Sequence, residues 1–450
     1  MNLRELVEKV VRYAHENQLA SEVEVYAVRN RSIEVLARYG MGIDGVVVGD
    51  RVSMGIRVAL GKRVAVVGGD VASERDAIAL LEKAVSIARV SPEIEDWHGL
   101  PSRLGKADAQ GLVDEKIKSI DMDYAISIVR ELFDLPKEID RDAHTLQLHV
   151  SYGHYERAIA NSYCSSVDDE GTLLAMLVEI KVAREGKESS VFDYSALRKL
   201  DVEYLRNRVK WCCRIASLTL GARAIETGRY EVLLAPKVFA SIIDALISPA
   251  IAAHNVQRNR SPLRGKIGEQ VLSEQLTVVD DGVATGFVGS KRFDDEGIET
   301  RRKTVFEKGV LKTFLYDNYT ALKEGKESTG NAVRRGVASM PTPGITNLVV
   351  EPGKGCLEDL INEISRGIVV FSIIGEWLSN YVSGYMNATV VNGLYVERGE
   401  IKYPIKGAVI SGDFYRIMKE NIVAIGADLD NCDTVYAPSI LVREVNVAGK

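Results

Sequence analysis

The sequence predicts an α+β protein in which an N-terminal region of helices and antiparallel sheet precedes a β-rich C-terminal domain. Three observations support this. In the first half, apolar residues at helical spacing alternate with runs in which about every second residue is apolar. After Gly228 the runs become short and are separated by glycines. No Gly-rich phosphate loop or dinucleotide fingerprint of a doubly wound fold interrupts either half.

Residues 1–90 are predicted to form an N-terminal α+β domain. Leu3, Leu6, Val7 and Val10 recur at helical spacing, which indicates an amphipathic first helix. The runs SEVEVYAVR, SIEVLARYG, RVSMGIRVA and KRVAVVGG then alternate like antiparallel strands. A second helix is predicted over 73–88, because Ser73 can accept a hydrogen bond from the exposed amides of its first turn.

A linker at 91–117, rich in Pro, Gly, Asp and Lys, separates this domain from a middle α+β domain over 118–226. The middle domain is predicted to contain helices over 121–133 and 202–219 with three alternating strands between them. The β-rich domain, 227–450, opens with the strand GRYEVLLAP. A helix over 236–247 follows, beginning with a proline that suits the first helical turn, and a shorter helix is expected over 357–365.

Composition excludes several classes of protein. At 450 residues the chain exceeds the size of one hydrophobic core. Its net charge of −6 gives no basic field for nucleic acid, so no nucleic-acid partner is expected. No apolar run reaches the roughly 18 to 20 residues that span a bilayer, and the charged, helical start does not resemble a signal peptide. We therefore expect a cytoplasmic protein with no membrane partner.

The cysteines and histidines do not form a recognisable metal motif. The five cysteines lack a C-x-x-C pair, and we expect most of them to be buried thiols. A hydrolytic zinc needs three protein ligands, and none of the six histidines is followed by Glu and a second His at the spacing His-Glu-x-x-x-His. His254 and Cys432 are the candidate ligands nearest to a site. One imidazole cannot form a two-histidine site, so we assign no catalytic residue, no metal ligand and no cofactor to this chain.

Charged clusters provide further candidate site residues. Asp294, Asp295 and Glu296 could hold a hard cation, but acids that flank a glycine such as Gly297 more often form turns. Two basic groups could contact an acidic partner or the C-terminal carboxylate of a peptide, although a solvated face also explains them. They are Arg258, Arg260 and Arg264 in one loop, and Arg301 and Arg302 in another.

Several motifs of the second half resemble one protein family. They include NRSPLRGKIGEQV at 259–271, FDDEGIETRR at 293–302, KGVLKTFLYDNYTA at 308–321 and STGNA at 328–332. In order and spacing they are similar to the TldD/TldE (PmbA) metallopeptidase family, also called modulator of DNA gyrase. TldD chains of that family carry a His-Glu-x-x-x-His helix, which this sequence lacks. The ending APSILVREVNVAGK also resembles the TldE/PmbA branch.

The resemblance implies a cytoplasmic heterodimer in which a TldD-like subunit supplies zinc and this chain completes a chamber for unfolded peptides. It implies no DNA binding. The motif residues carry over only as parts of a peptide groove or of the fold, namely Asp294, Asp295, Glu296, Gly297, Gly309, Gly330 and Asn331. The expected function is a catalytically silent subunit. An autonomous metallopeptidase with atypical ligands and a homodimeric peptide-binding or scaffold protein stay open as alternatives.

Overall fold

The computed structural model describes residues 2–163 and 165–449 and confirms the α+β class. The helices are α1 (Leu3–Glu16), α2 (Glu74–Val90), α3 (Glu115–Lys118), α4 (Met122–Ile139), α5 (Val202–Leu218), α6 (Pro236–Ile251), α7 (Ala253–Gln257), α8 (Asn318–Lys323), α9 (Leu357–Asn362) and α10 (Phe414–Glu420).

The strands of the first half are long, and those of the second half are mostly short. They are β1 (Glu22–Arg38), β2 (Gly42–Leu60), β3 (Arg63–Asp70), β4 (Ala143–Asn161), β5 (Ser165–Arg184), β6 (Lys187–Leu197), β7 (Gly228–Leu234), β8 (Val278–Asp281), β9 (Arg302–Glu307), β10 (Val310–Leu311), β11 (Ala332–Val333), β12 (Thr342–Pro343), β13 (Leu348–Val350), β14 (Arg366–Ile374), β15 (Tyr385–Glu397), β16 (Glu400–Ile405), β17 (Val409–Asp413), β18 (Ile422–Ile425), β19 (Asp430–Cys432), β20 (Val435–Ala437) and β21 (Ile440–Ala448).

The first half contains one continuous antiparallel sheet in the order β3-β2-β1-β4-β5-β6. The predicted boundary between 1–90 and 118–226 therefore does not divide the sheet, because β1 pairs with β4 from Glu24↔Asn161 to Arg38↔Gln147. The helices of the first half, in contrast, belong to two separate hydrophobic cores. Helices α1 and α2 pack on β1–β4 around one core, which includes Ala158 and Ala160 of β4, whereas α4 and α5 contribute to a second, larger core. Alternation predicts strands but not their long-range partners.

Side-chain caps set the helix starts that the sequence predicts. The Ser73 side chain accepts from the Asp76 amide at the start of α2, and Asp121 accepts from Asp123 at the start of α4. Helix α6 runs four residues beyond its predicted end, through Pro249 to Ile251, after which Ala252 is extended and α7 follows. Pro249 lies two residues before the end of α6, so its missing amide donor and its ring affect only the last turn.

The second half contains a sheet and a barrel. The sheet has the order β10-β9-β8-β13-β20-β19. The barrel runs β14-β7-β21-β17-β15 and closes because β15 also pairs with β14; β16 and β18 extend it on β15 and β21. Helix α6 packs against β14, β19 and β20, so it lies between the barrel and the sheet.

Two glycines let the halves approach closely. Gly55 of β2 and Gly68 of β3 face each other in the sheet register, and the loop 334–341 between β11 and β12 lies against them. A Cβ on Gly55 would overlap the carbonyl oxygen of Val337, and one on Gly68 would lie 2.6 Å from the Ala338 nitrogen. The loop therefore docks backbone to backbone on the N-terminal sheet.

Two smaller findings complete the description. No helix within residues 2–163 and 165–449 is long and apolar enough to cross a membrane.

Cys212 and Cys213 are buried in α5 and Cys432 is partly exposed, whereas Cys356 is exposed at the start of α9, contrary to the burial expected for most thiols. Cys164 lies outside the described residues.

Candidate functional site

The structure buries the acidic triplet, whose three carboxylates organise the junction of the two halves. Asp294 accepts hydrogen bonds from the amides of Glu296 and Ile298, each at 3.0 Å, and from that of Ala332 at 2.9 Å. These bonds close a turn and attach it to β11. Burial raises the pKa of Asp294 to about 6 against the opposing effect of these amides.

Asp295 connects the same turn to the N-terminal sheet. It pairs with Arg157 of β4 at 3.0 Å and with Lys291 at 3.3 Å, and it accepts from the Arg334 amide at 2.8 Å. Arg157 also pairs with Asp169 at 2.6 Å. Burial opposes ionisation, but the Lys291 and Arg157 cations overcome it and lower the pKa of Asp295.

Glu296 completes the junction through Arg57 of β2. The Arg57 guanidinium lies 2.9 Å from Glu296 and 2.6 Å from Glu24, and all three side chains are 1% exposed. Glu24 also accepts from Arg334, and Glu296 accepts from the Asn318 amide at 2.8 Å. Burial, opposed by Arg57 and reinforced by Asp317, raises the pKa of Glu296 to about 8.

Asn331 and the motif glycines shape the segment 331–346, which includes β11 and β12. The Asn331 amide donates to Asp280 at 2.7 Å and to the Gly344 carbonyl at 2.9 Å, while Asp280 accepts from the Thr346 amide at 2.7 Å. Gly330 has φ +72°, and a Cβ there would overlap the Glu299 carbonyl, so only glycine fits. Gly297 and Gly309 also have positive φ, at +81° and +75°.

These bonds hold segment 331–346 opposite α6 and α7, and the two walls enclose a cleft of about 770 Å³. Asp433 and Thr434, which follow β19, form a third wall. The lining includes Asp244, Ser248, His254 and Arg258 on the helical side, and Arg335, Met340 and Thr342 on the opposite side. The predicted motif residues thus do not line the cleft. Their carboxylates and amides form hydrogen bonds and ion pairs within the protein and hold the cleft wall in place.

The cleft carries charges of both signs. The carboxyls of Asp244 and Asp433 face the cleft, but the surrounding protein removes part of their hydration. This partial desolvation raises the pKa of both. Burial lowers the pKa of His254, and the positive charges of Arg258 and Arg335 add to this effect. The His254 Nδ1 atom is buried without a hydrogen-bond partner among the described residues.

The residues of this cleft do not fit zinc. His254 is a single imidazole beside two guanidiniums, which repel a dication. Burial raises the pKa of the Cys432 thiol to about 11, which disfavours the thiolate form. Within residues 2–163 and 165–449, no three His, Cys, Asp or Glu side chains converge as a metal site. We therefore derive no chemical step through a metal in this chain.

The basic candidates are scattered. Arg258 lines the cleft, whereas Arg264 bonds the Asn259 side chain and Arg260 is exposed in the same loop. Arg301 donates to the Ser328 carbonyl at 3.1 Å, and Arg302 pairs with Glu351 at 3.0 Å. Sequence reasoning missed Asp244, Arg335 and Asp433. The available signal was the pair Asp244 and Ser248, spaced i, i+4 in the part of α6 after Ser241, where the other residues are apolar.

Comparison with known proteins agrees with this architecture. Residues 227–449 match the family model of the PmbA/TldA metallopeptidase C-terminal domain. A metalloprotease of Methanocaldococcus jannaschii is 27% identical over 366 residues, which cover 78% of this chain and 78% of that protein. Metalloprotease PmbA of Escherichia coli is 29% identical over 239 residues, which cover 53% of this chain and 50% of that protein.

The crystal structure of TldE from Thermococcus kodakarensis matches with a TM-score of 0.90 and 26% identity over 99% of this chain and 100% of that chain. The β-rich half, with its barrel and its cleft beside α6, is thus a metallopeptidase-type C-terminal domain. Residues 227–449 belong to the PmbA/TldA metallopeptidase C-terminal domain family, and the chain is similar to PmbA, TldD and TldE proteins.

Proposed function

We propose that this chain is a TldE/PmbA-like subunit of a cytoplasmic zinc metalloprotease complex that acts on unfolded peptides. In this proposal the chain binds peptide, a TldD-like partner holds the zinc, and the chain alone does not cleave. The observation that carries the proposal is the cleft beside α6, which is open and charged but in which no metal ligands converge among the described residues. Similarity to TldE supports it.

The shape of the cleft favours an unfolded substrate. Its walls are a helix and a two-strand segment, and its volume of about 770 Å³ admits a short extended chain but not a folded domain. The wall at 331–346 is fixed by the Asn331 and Asp280 bonds, so a peptide meets a preformed surface. Preformed binding surfaces lose less conformational entropy when they bind.

Reconstitution with a TldD-like metalloprotease of the same organism tests the proposal. We expect the two purified proteins to co-elute and the cleavage rate of an unfolded peptide to rise by about tenfold or more over the partner alone, because bound substrate is positioned. The double variant Arg258→Glu/Arg335→Glu should lose most of this gain. Its matched control, Arg264→Glu, changes a nearby arginine that does not line the cleft.

Other outcomes of this experiment would support the alternatives. Cleavage by the chain alone that disappears in His254→Ala and Cys432→Ala would indicate an autonomous metallopeptidase. A stable homodimer that ignores the TldD-like protein would indicate a homodimeric peptide-binding or scaffold protein. Either result, or the absence of any effect on cleavage by the partner, would contradict the proposed division of labour.

A further inference from the structure

Four of the charged side chains that line the cleft form no ion pair among the described residues. Among the described residues, Asp244, Asp433, Arg258 and Arg335 form no ion pair, although Arg57, Arg157 and Arg208 each pair with two carboxylates. All four side chains are exposed to the cleft. A pair of free carboxylates and a pair of free guanidiniums therefore share one cavity.

Neighbouring lysines do not neutralise the acidic pair. Lys237 lies near it, but its Nζ is held by Asp193 at 2.8 Å, by Ser195 at 3.1 Å and by the Tyr194 carbonyl. Lys291 also lines the cleft, and its Nζ pairs with Asp295 at 3.3 Å. Both ammonium groups are thus engaged in the fold, so the two carboxylates remain free for a cation that enters the cleft.

The two signs of charge lie in different parts of the cavity. Asp433 and Asp244 act on each other electrostatically, and both act on Cys432. Arg258 and Arg335 both act on His254. Asp244 lies within α6, whereas His254 lies in α7, beyond the extended Ala252 that separates the two helices.

We propose that the cleft binds a short peptide lengthwise by its two free ends, with the terminal ammonium between Asp244 and Asp433 and the terminal carboxylate on Arg258 and Arg335. This inference rests on the proposed function of the cleft as a peptide site and names its ligand.

The ligand class follows from the chemistry of the ends. A guanidinium presents paired donors that match a carboxylate, and two free acids attract an ammonium in a partly desolvated site. The backbone within a long unfolded chain carries no terminal ammonium or carboxylate. The cleft therefore favours short peptides with both ends free, which is the form of the products when an unfolded chain is cut several times.

Calorimetric titration of the full chain with the pentapeptide Ser-Ala-Ser-Ala-Ser tests this inference. The peptide is used with free ends, with an acetylated amino end and with an amidated carboxyl end. We expect each cap to raise the Kd by about tenfold, because it removes one charge that the cleft contacts.

Variants assign each end to its pair of side chains. Asp244→Asn/Asp433→Asn should bind the acetylated and free peptides equally while keeping the response to amidation. Arg258→Gln/Arg335→Gln should bind the amidated and free peptides equally while keeping the response to acetylation. Glu274→Gln and Arg260→Gln, which change exposed charges outside the cleft lining, should behave as the unmodified chain does.

The outcomes separate this inference from the proposed function. Equal affinity for free and capped peptides would overturn end recognition but leave peptide binding intact. If no peptide binds while the chain still accelerates the partner's cleavage, end recognition is wrong and the subunit role stands. If neither binding nor acceleration is seen, both are wrong.

Discussion

Replacing Arg57 by methionine is expected to lower the free energy of unfolding by about 3–5 kcal/mol, because it leaves the buried acidic side chains of Glu24 and Glu296 without the cation that they share. Arg57 is 1% exposed and lies 2.6 Å from Glu24 and 2.9 Å from Glu296, which belong to different halves of the chain. Burial already opposes ionisation of Glu296, whose pKa is raised to about 8. Without the guanidinium, one or both carboxylates must take up a proton or reach water.

Denaturant unfolding measures this effect. The matched control is Arg51→Met on the same strand, where the side chain is 72% exposed and 3.6 Å from Asp70; a change within about 0.5 kcal/mol is expected there. The triple variant Arg57→Met/Glu24→Gln/Glu296→Gln should recover part of the loss, because it removes the stranded charges. Equal, small losses for Arg57→Met and Arg51→Met would show that the buried pairs do not hold the halves together.

The second large effect is expected at Gly55. Its replacement by alanine should lower the free energy of unfolding by about 1–3 kcal/mol or more and displace the loop 334–341. The added Cβ meets the Val337 carbonyl oxygen, a backbone atom that cannot rotate away as a flexible side chain would. Arg335, Ser339 and Met340 belong to this loop and line the cleft, so peptide binding should weaken as well.

Gly45→Ala is the control for this prediction, since Gly45 lies in the same strand and a Cβ there meets nothing within 4 Å. The free energy of unfolding of Gly45→Ala should lie within about 0.5 kcal/mol of that of the unmodified chain. Limited proteolysis should cut the loop 334–341 faster in Gly55→Ala only. If both variants unfold and are cut alike, the loop does not depend on the close approach at Gly55.

The sequence predicts the local part of this fold well. Helix starts depend on neighbours within a few residues, and the caps at Ser73 and Asp121 lie where the pattern indicates. The pairing of β1 with β4 and the closure of the barrel by β14 and β15 join segments that local periodicity cannot match. The predicted boundary between the first two domains therefore separates strands that belong to one continuous sheet.

The site was less predictable for the same reason. Glu296 bonds Arg57 from 239 positions away and Asp295 bonds Arg157 from 138 positions away, so no local pattern reveals that the acidic triplet joins the two halves. The cleft likewise assembles Asp244, Arg335 and Asp433 from three distant segments. Arg258 was identified because a cluster of arginines is visible in the sequence itself.

The zinc content of the chain purified alone from zinc-replete medium, measured by mass spectrometry after dialysis, tests the central claim most directly. The account predicts that no zinc is retained, because His254 and Cys432 have no converging third ligand in the described chain. The TldD-like partner should retain zinc under the same conditions. Retention of about one zinc per chain, lost in His254→Ala and Cys432→Ala, would contradict the account and make this chain a metalloenzyme in its own right.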